Sequence, residues 1–370
     1  MVNSADVLIV GGGPAGLATA IAAALRGFRV TVADPRKPPI EKACGEGLLP
    51  EGVAALGQLG IQLNSENAFP IAGIRFCDEI SSVSGKIPLG ATSFGLRRTD
   101  LHQLLVLRAE KLGVCVRWGT RVSDWHSNAA RLNGRDVRFR WLVGADGQKS
   151  AVRKWAGLGP GRLRSSRLGF RRHFTVAPWS DFVEVYWGRN CQIYVTPTGP
   201  REVCVAVLTR DERLRTDIAL RQFPLLAARL HDAGPISTEV GGATVLERAR
   251  SVAHGNVALV GDASFTVDGI TGQGLSLAFR QAIALGDALA RQNLSLYQKA
   301  HREIVRSPAR MARLLLLLDR NPWIRGKVLR LLFRNPDIFA KLVARHTGKP
   351  AVQSSNSADI CDLEWQALRT

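Results

Sequence analysis

Three glycines near the N-terminus have the spacing of a loop that binds a dinucleotide. The G-x-G-x-x-G pattern at residues 11–16 follows the apolar, β-branched run 5–10 and precedes an alanine-rich run that Gly27 closes. Such a loop turns tightly, lets phosphates approach its backbone and packs a helix on a strand, and the helix's amino end favours negative charge. The residues predicted to contact the phosphates are Gly11, Gly13, Pro14, Ala15 and Gly16.

A carboxylate follows at the position where a dinucleotide site holds a ribose. The run 29–33 predicts a second strand, and Asp34 comes directly after it. A carboxylate at this strand end can accept hydrogen bonds from a ribose diol. We include Pro35 and Arg36 in the predicted site. The pattern by itself does not separate FAD from NAD.

Composition narrows the class of protein. The chain has 370 residues, 46% of them hydrophobic, which suffices for one large domain or two interleaved ones. Its six cysteines are scattered without a Cys-x-x-Cys pair, so we predict no disulfide framework and no metal site, and we expect a cytoplasmic protein. The net charge of +19 attracts polyanions, but no nucleic-acid-binding motif accompanies it, so nucleic acid is not expected as a partner.

Three further segments carry a resemblance to a known superfamily. They are an R-x-x-L-x-x-x-L helix start at 98–105, a G-x-D-G-x-x-S-x-V-R motif at 144–153, and a strand-G-D-A…G-x-G-helix segment at 257–278. Together with the N-terminal loop, they resemble the FAD-binding superfamily of p-hydroxybenzoate hydroxylase, geranylgeranyl reductases and flavin-dependent halogenases. The motifs occur in the family's order and span nearly the whole chain.

The resemblance implies an FAD site and a role for each motif. Arg98 would lie against FAD, Asp146 near its pyrophosphate and Asp262 at its ribityl chain, while the amides of 272–274 would face the flavin ring. Thr99 or Asp100 could cap the helix that begins beside Arg98. The residues that the resemblance adds to the predicted cofactor site are Cys44, Gly45, Gly47, Arg98, Asp146, Gly147, Gly261, Asp262, Thr271, Gly272, Gln273 and Gly274.

One departure concerns the flavin-facing loop. The family usually has a proline where this chain has Gly269. We expect Asp268 and Gly269 either to loosen this loop or to turn the carboxylate towards the substrate, so Asp268 is a candidate catalytic residue.

The segment 42–50 supplies two more candidates. It resembles the C-G-x-G-L segment of geranylgeranyl reductase-like proteins, which lies beside the isoalloxazine ring. Cys44 is either a reactive thiol or a small packing residue, and Glu46 is either a general acid or base or a loop or ribose contact. Residues 171–173, two arginines and a histidine, either face an anionic or phenolic substrate or form a solvated basic strand edge.

The order of the motifs predicts an α/β chain, α+β overall. A Rossmann-type FAD-binding domain of the glutathione reductase-like kind is interleaved with an antiparallel β-sheet substrate domain, and helices follow. We assign 1–74, 96–165 and 251–290 to the FAD-binding domain, 75–95 and 166–250 to the substrate domain, 291–350 to C-terminal helices, and 351–370 to a tail.

The C-terminal helices are basic and amphipathic, which leaves two interpretations. They either cover the FAD domain with a solvated basic rim or lie on an anionic membrane, in which case the protein is membrane-associated and its small-molecule substrate is lipophilic.

Three functions remain open. The first is an NADH- or NADPH-dependent monooxygenase that hydroxylates an aromatic or polyketide-like lipophilic compound through a C4a-hydroperoxyflavin. The second is a geranylgeranyl reductase-like enzyme that reduces a C=C bond of a lipid. It is favoured by segment 42–50 and disfavoured at 194–197, where only Tyr194 and Pro197 remain of the reductases' Y-x-W-x-F-P motif. The third is a flavin-binding protein without turnover. The resemblance favours the first.

Overall fold

A computed structural model of the chain describes residues 4–78, 81–126, 128–159 and 162–347. The strands are β1 Ser4–Val10, β2 Val30–Asp34, β3 Gly47–Leu48, β4 Phe69–Pro70, β5 Gly73–Cys77, β6 Ser82–Lys86, β7 Phe94–Gly95, β8 Cys115–Trp118, β9 Val122–His126, β10 Ala129–Leu132, β11 Arg135–Gly144, β12 Arg162–Phe174, β13 Phe182–Trp187, β14 Cys191–Gly199, β15 Glu202–Thr209, β16 Val240–Arg248, β17 Ala253–His254, β18 Val257–Leu259 and β19 Phe265–Thr266.

The α-helices are α1 Pro14–Ala24, α2 Pro50–Gln58, α3 Arg98–Lys111, α4 Ala151–Trp155, α5 Thr216–Leu220, α6 Pro224–His231, α7 Gly274–Ala290, α8 Leu294–Arg320, α9 Pro322–Arg334 and α10 Pro336–Thr347. Two short 3-10 helices, Gly261–Ala263 and Gly269–Thr271, precede α7.

The first sheet is built around parallel strands. Its order is β17-β18-β11-β1-β2-β8, with the β9–β10 hairpin attached to β11. β1 pairs in parallel with β2 and β11, and its core residues Leu8 and Ile9 are fully buried. Helices α1, α3 and α7 pack together beside this sheet, so its strands are covered and their nearly continuous apolar sequence is explained.

The second sheet is mostly antiparallel and has the order β19-β16-β12-β15-β14-β13-β5-β6. β12 pairs with β16 on one side and β15 on the other, so it is an interior strand. A third sheet of β3, β7 and β4 is small. The predicted mixture of a Rossmann-type sheet, an antiparallel sheet and terminal helices is confirmed, whereas the domain boundaries remain a prediction.

The C-terminal helices contact both halves of the fold. α8 packs against α7 and also buries Val305, Ala309, Ala312 and Leu316 against residues of the second sheet, whereas α9 and α10 pack over the β5–β6 hairpin of that sheet. The interpretation of the helices as a cover for the FAD domain is therefore corrected for α9 and α10, which mainly cover the second sheet, although the end of α10 contacts the loop 271–273. No helix among the described residues is long and apolar enough to cross a bilayer. The predicted tail lies outside the described residues.

Candidate functional site

The first glycine loop has the close backbone contacts that its sequence predicts. Gly11 has φ +111°, and a Cβ there would lie 2.4 Å from the carbonyl oxygen of Ala145. A Cβ on Gly16 would lie 1.8 Å from the carbonyl oxygen of Gly11, whereas one on Gly13 would meet nothing within 4 Å. α1 begins at Pro14 without a side-chain cap. The loop thus leaves open space and uncapped amides where phosphates would bind.

The other motifs converge on this loop. A Cβ on Gly261 would lie 2.6 Å from the Cβ of Ala15, so the third motif contacts the first. His102, one helical turn after Arg98, has its Nε2 2.8 Å from the carbonyl oxygen of Gly12. Burial lowers the pKa of His102, which therefore stays neutral and donates its Nε2 proton to that oxygen.

Three of the residues predicted to contact FAD each have a buried polar atom without a hydrogen-bond partner among the described residues. These atoms are Nε of Arg98, Oδ1 of Asp146 and Oε1 of Gln273. An unpaired buried polar atom costs about 1–3 kcal/mol, so such atoms call for a ligand. All three belong to residues predicted to contact FAD. A dinucleotide with a charged pyrophosphate and hydroxyl groups matches this mixture of donors and acceptors, so the residues fit FAD.

Asp34 lies at the predicted ribose position with its carboxylate already oriented. It accepts hydrogen bonds of 2.8 Å from the backbone N–H groups of Gly12 and Arg36, and the Arg36 guanidinium also contacts it. Burial alone would raise the pKa of Asp34, but the hydrogen bonds from Arg36 and Gly12 lower it overall. The charged acid thus ties the end of β2 to the phosphate loop. Pro35 is exposed beside it.

The flavin-facing end of the predicted site also has open glycines. Gly272 adopts φ +64°, and neither Gly272 nor Gly274 has an atom within 4 Å of a Cβ position. α7 begins there without a side-chain cap, so its first amides are free for a ligand. Asp262, the predicted ribityl partner, forms an ion pair with Lys42, which lies 220 residues earlier in the chain. This pair connects the third motif to segment 42–50.

Asp268 has a different environment from the one expected. Its carboxylate is fully buried and paired with the equally buried Arg167, at 2.6 Å. It also accepts a hydrogen bond from the Ile270 N–H. The expectation that it turns towards a substrate is corrected by this pairing, since a buried guanidinium requires a compensating carboxylate.

Glu46 is the focal residue of segment 42–50. It has φ +59° and is almost fully buried. One carboxylate oxygen accepts a 3.1 Å hydrogen bond from the Arg98 N–H, and the other lies 2.6 Å from Nε2 of His173. Neither Thr99 nor Asp100 caps α3, because α3 begins at Arg98 and the remote Glu46 side chain occupies the cap position. A non-glycine residue in the left-handed region costs about 1 kcal/mol, which these contacts offset.

Arg171 and His173 lie beside Glu46, which overturns the expectation of a solvated basic edge. β12 is an interior strand, so both side chains are buried, 1% and 2% exposed. Arg171 Nη1 lies 3.0 Å from His173 Nδ1, and its Nε lies 3.8 Å from the Glu46 carboxylate. Since a guanidinium can only donate, Nδ1 accepts and Nε2 carries the proton that is donated to Glu46. Arg172 points to the other face and pairs with Asp217.

Two cysteines adjoin this carboxylate. Cys44 is half-buried, and burial raises the pKa of its thiol. Burial and the nearby Glu46 also raise the pKa of Cys204. The donor atoms of Glu46, His173 and Cys204 lie within 4.8 Å of one another. The Arg171 guanidinium lies in the same cluster and opposes a cation there, so we describe the cluster as a proton-bearing network.

Two functional side chains were missed in the sequence. His102 has a recoverable signal, because residues four apart on a helix share a face and Arg98 was already identified. Arg167 has none, since its partner Asp268 lies 101 residues away.

The parallel sheet, the converging glycine loops and the unpaired buried atoms define an FAD-binding oxidoreductase. The family model described as "FAD binding domain" matches residues 4–303, and the chain belongs to that family. The resemblance stated above is thereby confirmed, and the chain is an FAD-dependent oxidoreductase.

The chain is similar in sequence to reductases and in fold to solved flavoprotein structures. A menaquinone reductase of Mycolicibacterium smegmatis is 28% identical over 363 residues, covering 89% of this chain and 88% of its own. A digeranylgeranylglycerophospholipid reductase of Methanothermobacter thermautotrophicus is 26% identical over 341 residues, covering 82% and 83%. The crystal structure of a flavoprotein/dehydrogenase from Cytophaga hutchinsonii superposes with a TM-score of 0.80 at 17% identity, covering 93% of each chain.

Proposed function

We propose that the chain is an FAD-dependent reductase that adds hydrogen across a C=C bond of an isoprenoid-bearing lipid, with NADH or NADPH as the electron donor. The observation that carries the proposal is segment 42–50. It resembles the reductases' segment beside the flavin ring, and its Glu46 forms a buried carboxyl–imidazole pair with His173. Relatives that align over most of the chain bear reductase names.

The chemistry explains why such a pair is useful. Reduction of a C=C bond adds a hydride to one carbon and a proton to the other, and the bound, reduced FAD supplies the hydride. The chain must supply or relay the proton in a site that excludes water. The Glu46–His173 pair holds a proton at His173 Nε2, and Arg171 fixes this tautomer by donating to Nδ1.

The test is anaerobic turnover of the FAD-loaded chain. Purified protein is mixed with NADH or NADPH and with either a polyprenyl quinone or a geranylgeranyl ether lipid dispersed in detergent, and products are identified by mass spectrometry. We expect products whose isoprenoid chain, located by fragmentation, gains two hydrogens without oxygen; a gain confined to a quinone ring, which becomes a quinol, would not support the proposal. A product that gains one oxygen atom, formed only in air, would refute the proposal.

Monooxygenation is the second candidate, because 194–197 departs from the reductases' aromatic motif. Tyr194 donates a 3.1 Å hydrogen bond to the Ile270 carbonyl, so this tyrosine is committed to the flavin-facing loop. Stopped-flow mixing of the reduced protein with oxygen tests this candidate, since a hydroxylase forms a transient oxygenated flavin that absorbs in the near ultraviolet. Binding of FAD with no turnover in either assay would favour the third interpretation, a flavin-binding protein.

A further inference from the structure

α9 and α10 expose large apolar side chains on the surface that faces away from the second sheet. Trp323, Leu331, Ile338 and Leu342 are 70%, 52%, 42% and 42% exposed. Trp323 and Leu331 are eight residues apart on α9, and Ile338 and Leu342 are four apart on α10, so each pair lies along one side of its helix. We name these four residues, with Lys327, Arg330, Arg334 and Lys341, the outer face.

The outer face is not needed to hold the helices in place. The opposite sides of α9 and α10 bury Leu332, Phe339 and Val343 against the β5–β6 hairpin. Each helix therefore has its apolar contact with the fold already, and four more large apolar residues remain in solvent. A monomeric soluble protein seldom exposes such a grouped set without a binding role.

The charge on the two helices is strongly one-sided. Residues 322–347 contain six Lys or Arg and one Asp. Among the described residues, none of these six cations has a carboxylate within ion-pair distance. Lys327 instead lies 3.7 Å from the centroid of the Trp323 ring. A tryptophan, aliphatic residues and unpaired cations on one helix face are the composition of an interfacial membrane helix.

The end of α10 contacts the predicted flavin site. His346 Nε2 lies 2.9 Å from the carbonyl oxygen of Thr271 and donates to it, and Gln273 Nε2 donates to the His346 carbonyl oxygen at 3.3 Å. Burial lowers the pKa of His346, so it remains a neutral donor. The same helix thus carries part of the outer face and, one turn further on, holds the loop 271–273.

We propose that the outer face docks on a bilayer containing anionic phospholipids and brings the loop 271–273 to the membrane surface. The apolar side chains enter the headgroup boundary, and the unpaired cations contact lipid phosphates. Entry of a lipid substrate at this point rests on the proposed function, but the docking does not. The charge favours an anionic bilayer, and the grouped apolar residues favour it over nucleic acid.

The test is flotation of the FAD-loaded full chain with vesicles. We expect binding to phosphatidylcholine vesicles that contain phosphatidylglycerol, and little binding to phosphatidylcholine alone. K327Q/R330Q weakens the partition coefficient about 25-fold, since each cation beside an anionic leaflet contributes about five-fold. The matched control R121Q/R138Q removes two exposed arginines beside the β9–β10 hairpin and leaves binding unchanged.

A second pair of variants tests the apolar part. Leu331→Glu places a carboxylate on the outer face, whereas Leu107→Glu does so on α3 at a residue of equal exposure, 52% against 51%. We expect flotation to be lost with the first and kept with the second. Circular dichroism and FAD content confirm that both variants fold.

Three results would overturn the docking proposal. They are no binding of the parent chain to anionic vesicles, equal effects of each variant and its control, or tighter binding to duplex DNA than to the vesicles. The outcomes also separate the two proposals. Loss of docking with continued reduction of detergent-dispersed lipid refutes docking alone, and docking without reduction refutes the proposed reductase alone.

Discussion

Replacing Glu46 with glutamine tests the central network of the site. The change keeps the size of the side chain but removes the charge that faces His173 and Arg171. The amide has one acceptor atom where the carboxylate has two, so its NH2 group would face either His173 Nε2, already a donor because Arg171 occupies Nδ1, or the Arg98 N–H, also a donor. The loss of a hydrogen bond to a charged group lowers the unfolding free energy by about 1.5–3 kcal/mol. Because the buried Arg171 guanidinium also loses part of its counter-charge, we expect a decrease of about 3 kcal/mol in total.

This loss corresponds to a decrease of about 4 °C in the thermal midpoint, because a domain of this length unfolds with an entropy of about 0.8 kcal/mol/K. The assay is calorimetry at a fixed scan rate with FAD saturating. The matched control is Glu41→Gln. Glu41 contacts the same Arg171 at 3.3 Å, but its side chain is 43% exposed, so we expect a change below about 1 °C. If the two variants melt together, Glu46 is not the buried counter-charge and the reasoning is wrong.

Three further predictions concern the loops and the buried histidine. Gly16→Ala places a Cβ against the Gly11 carbonyl, so we expect urea unfolding without FAD to show a decrease of about 3 kcal/mol in the unfolding free energy. Gly13→Ala, where a Cβ meets no atom, leaves that free energy unchanged but weakens FAD binding in a flavin fluorescence titration. Arg98→Gln weakens FAD binding about 10- to 100-fold in a fluorescence titration; an unchanged affinity would mean that its unpaired Nε does not face the cofactor. Burial lowers the pKa of His301 to about 3, whereas in the unfolded chain it is about 6.5, so acid protonates the unfolded state first and the free energy of unfolding falls as the pH drops below about 6.5. His301→Gln removes about 2 kcal/mol of the decrease between about pH 6.5 and 5, measured by urea unfolding at each pH. Parallel pH profiles of the parent chain and the variant would contradict this prediction.

The cofactor half of the molecule was predictable because its constraints are local. Gly16 must lack a Cβ because the carbonyl oxygen of Gly11 lies against it, and these two glycines are only five residues apart in one loop. A requirement of this kind appears in the sequence as a fixed spacing of glycines. The second sheet has a local signal too, because apolar residues alternate along 182–187 and 202–207 and neighbouring residues on a strand point to opposite faces.

The network around Glu46 was not predictable, because its pairs join distant parts of the chain. Glu46 and His173 are 127 residues apart, and the sequence does not state that β12 is an interior strand. An Arg-Arg-His run on an edge strand would be solvated. Because β12 lies between β15 and β16, the alternate residues Arg171 and His173 point to the same buried face of the sheet. Strand order therefore decided whether these groups became surface charges or part of the site.

The buried cations and the exposed cations of α9 and α10 have different explanations. Arg167 on β12 is paired with Asp268, and Arg171 on the same strand lies beside Glu46. The charges of these buried arginines are thus neutralised locally and contribute little to the net charge of +19. The pyrophosphate of one FAD offsets only about two positive charges. Among the described residues, the cations of α9 and α10 remain exposed without a carboxylate partner, and the proposed anionic bilayer would complement both this charge and the exposed Trp323.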